Sequence, residues 1–283
     1  MQVHYGKSEF QAAVAADRAR GPATLGLVPT MGALHDGHVS LVRRARADCT
    51  LSAVSIFVNP LQFAAGEDFG VYPRTLDNDL ALLESAGVDH VFVPTPDIMY
   101  APGFQTSVLN TRLSKILCGA SRPGHFDGVL TVVMKLINIA GCEKVYFGLK
   151  DYQQFTLVRR MAADLDMACE VVGCPTVREE SGLARSSRNI YLSDAERESA
   201  ANISAVLRAM RDAVANGETR VERLRDLARP LTADPAVAMD YLEFRSRDLE
   251  TAFEDTITTP AMVLVAARVG QTRLIDNMPL GEG

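Results

Sequence analysis

Two histidines three residues apart, His35 and His38, frame an Asp36-Gly37 pair in the stretch Val28-Pro29-Thr30-Met31-Gly32-Ala33-Leu34-His35-Asp36-Gly37-His38. An apolar run precedes them and a helix-compatible run, Val39 to Ala45, follows. A strand that enters a glycine-containing loop and then a helix suits a phosphate, because the first helical N–H groups lack partners and point outward. Two imidazoles there add donors for anionic oxygens. A surface turn with incidental histidines is the plainer alternative.

Five further segments carry chemistry. Asn59-Pro60-Leu61-Gln62-Phe63 offers neutral amides, each both donor and acceptor, suited to a small polar molecule. Tyr72-Pro73-Arg74-Thr75 leads to Asp77 and Asp79. These are either helix N-terminal charges or, for Asp79, a carboxylate that helps hold Mg²⁺ beside phosphates. Ser121-Arg122-Pro123-Gly124-His125-Phe126-Asp127-Gly128 reads as a loop bearing Arg, His and Asp. Gly148-Leu149-Lys150-Asp151-Tyr152-Gln153-Gln154 starts a helix whose N–H groups and Lys150 suit a phosphate. Ser186-Ser187-Arg188-Asn189 has no clear periodicity and resembles a mobile loop that closes over an anion.

The elements that must position these residues follow from the apolar pattern. Strands are expected at 23–28, 51–58, 91–93, 144–147 and 170–172, and helices at 39–47, 76–86, 129–139 and 151–165, with Asp151 as N-cap. Residues 1–20 add an opening strand and helix. This alternation predicts an α/β domain with a parallel sheet, whose ligands gather at the carboxyl ends of the strands. Pro29–His38, Asn59–Phe63 and Gly148–Gln154 all fall there. Cys174-Pro175 and Arg178-Glu179-Glu180 suggest a boundary near 174–180. Beyond it, helices near 194–215 and 219–231 and strand-like runs at 241–244 and 262–267 predict a small α+β unit. The expected domains are 1–175 and 176–283.

With 283 residues, 47% of them hydrophobic and 23% charged, the chain is long enough for two domains with real cores. A net charge of −6 argues against a broad nucleic-acid surface, so a small anionic ligand would need locally concentrated cations. No apolar run is long enough to span a bilayer, and the N-terminus shows no signal pattern, which makes a cytoplasmic location the expectation. The five cysteines have no zinc or CxxC spacing and read as reduced, buried residues.

Taken together, the motifs resemble the pantothenate synthetase family. Pro-Thr-Met-Gly-Ala-Leu-His-Asp-Gly-His, Phe-Val-Asn-Pro-Leu-Gln-Phe, Tyr-Pro-Arg-Thr, Arg-Pro-Gly-His-Phe, Lys-Asp-Tyr-Gln-Gln and Ser-Ser-Arg-Asn occur in that family's order and spacing, and the resemblance extends from about residue 3 to Leu280. It implies a Rossmann-like nucleotidyltransferase domain with a smaller C-terminal domain that closes over the active site. It also implies ligation of (R)-pantoate to β-alanine. The pantoate carboxylate attacks the α-phosphate of ATP, and the β-alanine amine then attacks the pantoyl adenylate. A cytoplasmic homodimer using Mg²⁺ is implied as well, with no nucleic-acid or membrane partner.

Carried over residue by residue, the resemblance assigns ATP to Met31, Gly32, Ala33, Leu34, His35, Asp36, Gly37 and His38, to Gly148, Leu149, Lys150 and Asp151, and to Val177, Arg185, Ser186, Ser187 and Arg188. His38 is the implied proton donor, His35 its partner on the phosphates, and Lys150 and Arg188 further cations. Gln62 and Gln154 are implied to bind pantoate, with Gln62 also beside β-alanine. Asn59 belongs with them, and Arg122 and Tyr72 lie at the pocket edge. Two residues depart from the family pattern: Leu149 stands where Glu is usual, and Arg185 where Met or Leu precedes Ser-Ser-Arg. They leave open a second reading, a nucleotide-binding homologue with impaired catalysis.

Overall fold

The computed structural model describes residues 1–64 and 66–281, the side chain of Asp68 excepted. Ala65 lies outside them, as do Glu282 and Gly283, the last two residues of the expected C-terminal domain. Two compact units emerge: Met1–Leu149 with Leu157–Pro175, and Lys150–Thr156 with Thr176–Gly283.

The first unit is built on six parallel strands, β1 (Gln2–His4), β2 (Leu25–Thr30), β3 (Leu51–Ile56), β4 (His90–Phe92), β5 (Lys144–Gly148) and β6 (Glu170–Cys174), in the order β1-β4-β3-β2-β5-β6. Helices α1 (Lys7–Arg18), α2 (Asp36–Asp48), α3 (Leu76–Ser85), α4 (His125–Ala140) and α5 (Tyr152–Asp164) connect them. This is a Rossmann-like α/β architecture. The strand order reverses between β2 and β5, and in such sheets the crevice for a ligand opens at that switch point.

Proline shapes that crevice. The strand expected to close at Val28 continues to Thr30, because Pro29 still registers opposite Ser55 of β3. Phe57 N–H donates to the Thr30 carbonyl, so Thr30 faces β3 and its neighbour Pro29 faces the β5 side. Pairing of β2 with β5 covers only Gly26 and Leu27, so the missing proline N–H falls where no ladder partner is required. Below this split the sheet is tightly packed. Val28, Val54 and Val91 meet Leu41, Val42 and Ala45 of α2 and Leu83 of α3 in one buried cluster. A Cβ on Gly26 would lie 3.0 Å from the Tyr146 ring and 3.1 Å from Ala45.

Two helices begin earlier than the apolar spacing suggests. α2 starts at Asp36 rather than Val39, capped by His35, and α4 starts at His125 rather than Val129, after Gly124 at φ +81°.

The second unit holds an antiparallel sheet, β7 (Val237–Ser246), β8 (Ala261–Val269) and β9 (Thr272–Leu280), with β8 central. Helix α6 (Asp194–Ala215) presents Ala200, Ile203, Leu207 and Met210 to Val263, Val265, Ala267 and Leu274 of the sheet. This is the apolar stripe of an amphipathic helix. Ser193 starts α6 with a capping box, its hydroxyl accepting from Glu196 N–H while Ser193 N–H donates to the Glu196 carboxylate. The single helix expected at 219–231 is two short ones, α7 (Val221–Asp226) and α8 (Arg229–Ala233), the second opening with Pro230 in its first turn.

Candidate active site

The loop between β2 and α2 is closed on itself. Gly32 and Ala33 both have positive φ, +82° and +49°. The Asp79 carboxylate, 2% exposed in the first turn of α3, holds this bend: Ala33 N–H donates to Oδ2 at 3.0 Å and Leu34 N–H to Oδ1 at 2.8 Å. The Thr75 hydroxyl adds a third bond to Oδ1 at 3.2 Å. A Cβ on Gly32 would sit 3.0 Å from Oδ2, so both the space and the backbone conformation require glycine. Asp79, expected as a candidate Mg²⁺ carboxylate, is placed here against the backbone of the loop. Both its oxygens already accept from backbone amides, and it works as the clamp of this loop. Among the described residues no group of three or more His, Cys, Asp or Glu side chains is arranged to hold a metal ion.

The histidines cap α2 reciprocally. Gly37 N–H donates to His35 Nδ1 at 3.1 Å, and His35 N–H donates to His38 Nδ1 at 3.2 Å. This is a capping box made of two imidazoles, whose ring centroids are 4.2 Å apart. A backbone N–H can only donate, so each Nδ1 must carry a lone pair. Each ring is thus a neutral imidazole with its proton on Nε2.

The same bonds revise the phosphate argument drawn from the sequence. Gly32 N–H is taken by Thr30 Oγ1 and His38 N–H by the His35 carbonyl, in addition to the four amides already named. These amides are therefore engaged within the loop itself, and each imidazole keeps its proton on Nε2. The proton His38 presents is likewise the Nε2–H.

Gln62, 9% exposed, sits in the 3₁₀ turn Pro60–Gln62 that Asn59 caps, and both ends of it are held. Its carbonyl accepts from His125 Nδ1–H at 2.8 Å and from Arg122 Nη2 at 3.3 Å. Its amide oxygen accepts from Asn59 Nδ2 at 3.1 Å, and its Nε2 donates to Met31 Sδ at 3.0 Å. The turn lies against α4 so closely that a Cβ on Gly128 would be 2.1 Å from the Leu61 carbonyl oxygen.

Arg122, expected at the edge of the pantoate pocket, reaches this turn as a brace. Its Nε and Nη2 bind the two Glu67 oxygens at 2.6 Å each, and its Nη1 donates to His125 Nε2 at 2.9 Å. That bond fixes His125 as the Nδ1–H tautomer which the Gln62 carbonyl needs. The Arg122 guanidinium in turn holds the Glu67 carboxyl below its ordinary range. Tyr72 is buried, its ring at an angle of 73° to that of Phe63 and 5.9 Å away.

In the second unit, Lys150 and Asp151 belong to the 3₁₀ turn Leu149–Asp151 that follows Gly148 of β5, and Gln154 lies in the first turn of α5. The Lys150 carbonyl accepts from Asn277 Nδ2 at 2.8 Å, and Lys150 Nζ lies 3.8 Å from the Asp151 carboxylate. A small pocket is lined by Lys150, Ala184, Ser186, Asn189, Ile275 and Asp276, among others.

Val177 and Arg185 are eight positions apart, but Arg185 N–H donates to the Val177 carbonyl at 2.9 Å, and Arg178 bridges Ala184 in antiparallel fashion. Ser186 then caps the 3₁₀ turn Ser187–Tyr191 by accepting from Arg188 N–H at 3.3 Å. Arg185, read from the sequence as an added cation, lies 3.7 Å from Glu179, which also holds Arg197 at 3.3 Å. Arg178 forms a two-pronged pair with buried Asp276 at 2.6 and 2.9 Å.

Several working residues escaped the sequence reading. Glu67 and Tyr100 carried no motif signal, and Thr75 was noticed only as the last residue of the Tyr-Pro-Arg-Thr motif. His125 was noticed in a polar loop and in the Arg-Pro-Gly-His-Phe motif but given no role, although its spacing of three from Arg122 places both at the entry to α4.

Comparison with known proteins bears on the whole chain. The sequence profile of the family described as pantoate-beta-alanine ligase matches residues 2–279. Pantothenate synthetase of Heliobacterium modesticaldum is 50% identical over 263 residues, 93% of each chain, and that of Acidobacterium capsulatum is 53% identical, covering 93% of this chain and 88% of its own. The crystal structure of pantothenate synthetase from Thermus thermophilus superposes with a TM-score of 0.92 at 44% identity, covering 98% of this chain and 99% of its own. A pantoate-beta-alanine ligase from Francisella tularensis, complexed with beta-gamma ATP and beta-alanine, superposes with a TM-score of 0.81 at 32% identity, over 100% and 99%.

Proposed function

The chain belongs to the pantoate–β-alanine ligase family, and from that premise we propose how its residues divide the work. The reaction is the ATP-dependent ligation of (R)-pantoate and β-alanine to pantothenate. In our reading a pantoate carboxylate oxygen bonds to the α-phosphorus of ATP as the bond to the bridging oxygen breaks and pyrophosphate leaves. The neutral amine of β-alanine then bonds to the acyl carbon and gives up one proton to water, and AMP departs with the acyl–oxygen electron pair.

Charge accumulates on phosphate oxygens in the first step, and positioned donors stabilise it there. His35 and His38 serve through Nε2–H, with Lys150 and Arg188 as cations. Met31–His38, Gly148–Asp151, Val177 and Arg185–Arg188 hold the nucleotide. Gln62, Asn59 and Gln154 hold pantoate, and Gln62 also lies beside β-alanine. Arg122 contributes by bracing Gln62. In this reading His38 is the proton donor, through Nε2–H, and His35 is its partner on the phosphates.

Mg²⁺ is part of the proposal as a partner of the ATP phosphates, where it would neutralise charge. With Asp79 occupied by backbone amides, no residue of this chain is assigned to it. We also read the protein as a cytoplasmic homodimer. The segment 101–112 supports self-association by exposing Phe104 and Leu109. Among the described residues no helix is long and apolar enough to cross a membrane.

The observation that carries the reading is a family match across residues 2–279 that includes every motif of the two-histidine loop and the Gln62 turn. Pantoate-dependent exchange of labelled pyrophosphate into ATP, with β-alanine absent, tests it. Exchange is expected, with AMP released once β-alanine is added. No exchange at saturating ATP and Mg²⁺ overturns it in favour of the impaired homologue. The pairing of Arg185 with Glu179 speaks against that alternative, since the added cation already has a counter-charge.

A further inference from the structure

We propose that Tyr100 steadies Asn59 in the orientation that sets the amide polarity of Gln62, so that this site selects a ligand oxygen and turns away a ligand N–H. The inference rests on reading the Gln62 turn as the pantoate site and goes beyond it by naming the positioning residue and the chemical group selected.

The polarity follows from groups that admit no choice. The Gly128 carbonyl can only accept, so the Asn59 atom 3.1 Å from it is Nδ2. Leu61 N–H can only donate, so the Asn59 atom 3.2 Å from it is Oδ1. The same Oδ1 accepts a 2.7 Å bond from the Tyr100 hydroxyl. Asn59 is 1% exposed, so these partners replace water. With Nδ2 so placed, its remaining N–H lies 3.1 Å from Gln62, and the atom it meets must be Oε1. A reversed Gln62 would set two N–H donors against each other in a buried turn, which is disfavoured by the unmet donors it leaves.

Gln62 therefore turns its Nε2 toward Met31, where the partner is a thioether sulfur at 3.0 Å. Sulfur of this kind is a weak acceptor. A hydroxyl or carboxylate oxygen of a hydroxy acid is a much stronger one and replaces it with gain. An ammonium or amide N–H brought to the same point meets a donor. Burial pushes the Tyr100 phenol well above its ordinary range, which keeps its proton available for Asn59 at any working pH.

Tyr100→Phe in the full chain tests the relay. It removes one hydroxyl and leaves the ring among its neighbours. The KM for pantoate in pyrophosphate exchange is expected to rise about 5–10-fold, with kcat and the KM for ATP unchanged, as for one lost neutral hydrogen bond. Gln62→Glu, which puts an oxygen where the N–H stood, should raise the pantoate KM more than about 10²-fold. An unchanged pantoate KM in either variant, or equal losses in all three parameters of Tyr100→Phe, overturns the inference.

A measurement on the unaltered protein supports the variants. The ¹⁵N side-chain resonances of Gln62, assigned by their disappearance in Gln62→Glu, should shift when pantoate is added to saturation, and unshifted resonances overturn the inference. A wild-type protein without pantoate-dependent exchange would overturn the assigned reaction instead, which keeps the two failures distinct.

Discussion

The histidine loop Met31–His38 and the segment Val177–Asn189 are both assigned to the nucleotide, yet they are held in place by different means. In the loop, a buried carboxylate and two imidazole nitrogens satisfy the backbone amides one by one, and no cation takes part in those bonds. In the segment, order comes from partly exposed ion pairs around Glu179 and a pair between Arg178 and buried Asp276, with a serine cap and a single antiparallel bridge. Hydrogen bonds from backbone amides to a buried carboxylate and to ring nitrogens are directional and hold fixed partners, whereas the partly exposed ion pairs at Glu179 are screened by salt and can exchange partners. The loop is thus suited to hold donors at fixed positions against developing charge. The segment is suited to adjust.

The comparison can be broken most sharply at His38. His38→Ala removes a donor and half of the capping box, and exchange should fall by about 10²–10³ while the circular dichroism spectrum stays native. A fall of less than tenfold would mean that the loop does not present its imidazoles to the reacting phosphate.

Next comes Asp79→Ala, which strands the Ala33 and Leu34 amides. Chemical denaturation should show a loss of about 1–3 kcal/mol, from two part-buried donors left without their acceptor. A loss below about 0.5 kcal/mol would show that the bend holds without its clamp.

The brace on Gln62 gives a pH test. Arg122 lowers the Glu67 carboxyl from its ordinary 4.5. The folded state therefore binds that proton less readily than the unfolded one. The resulting stability is fully present above pH 4.5 and is lost as pH falls through the folded value. Glu67→Gln should be less stable than wild type near neutrality, with the gap closing in acid. A gap that stays constant down to pH 3 would remove the pair from any role in stability.

The smallest effect is expected in the segment. Glu179→Gln should cost under about 1 kcal/mol. It should also change the salt dependence of the KM for ATP, because Arg185 and Arg197 lose a shared partner, while the salt dependence seen in Asp79→Ala should match wild type. If Glu179→Gln leaves that dependence unaltered, the two regions are not held by different forces in the way described.

Legibility in the sequence followed the range of each interaction. The helix α6 was legible from Asp194 to Ala215 because its stripe and its Ser-x-x-Glu cap are both local. The starts of α2 and α4 were misjudged: a histidine cap and a left-handed glycine are helix starts that apolar spacing cannot register. Strand β9 was missed because Asp276 and Asn277, both buried, gave it a polar look, although Asp276 is neutralised there by Arg178. Arg122, Asp79 and Arg185 were singled out from the sequence, and their partners in the fold were not legible there. Each is a charge whose function depends on which partner reaches it.

By itself the sequence determined the family, the alternation of strands and helices, and the residue types at the strand ends, since periodicity, turn chemistry and motif spacing are written in neighbouring positions. Tertiary structure alone decided which proton each histidine carries, that Asp79 clamps backbone 45 and 46 residues away, and which way the Gln62 amide faces. A hydrogen bond has direction and needs a partner at about 3 Å. In this chain those partners are brought together only when the sheet assembles and α3 and α4 pack against its strand ends.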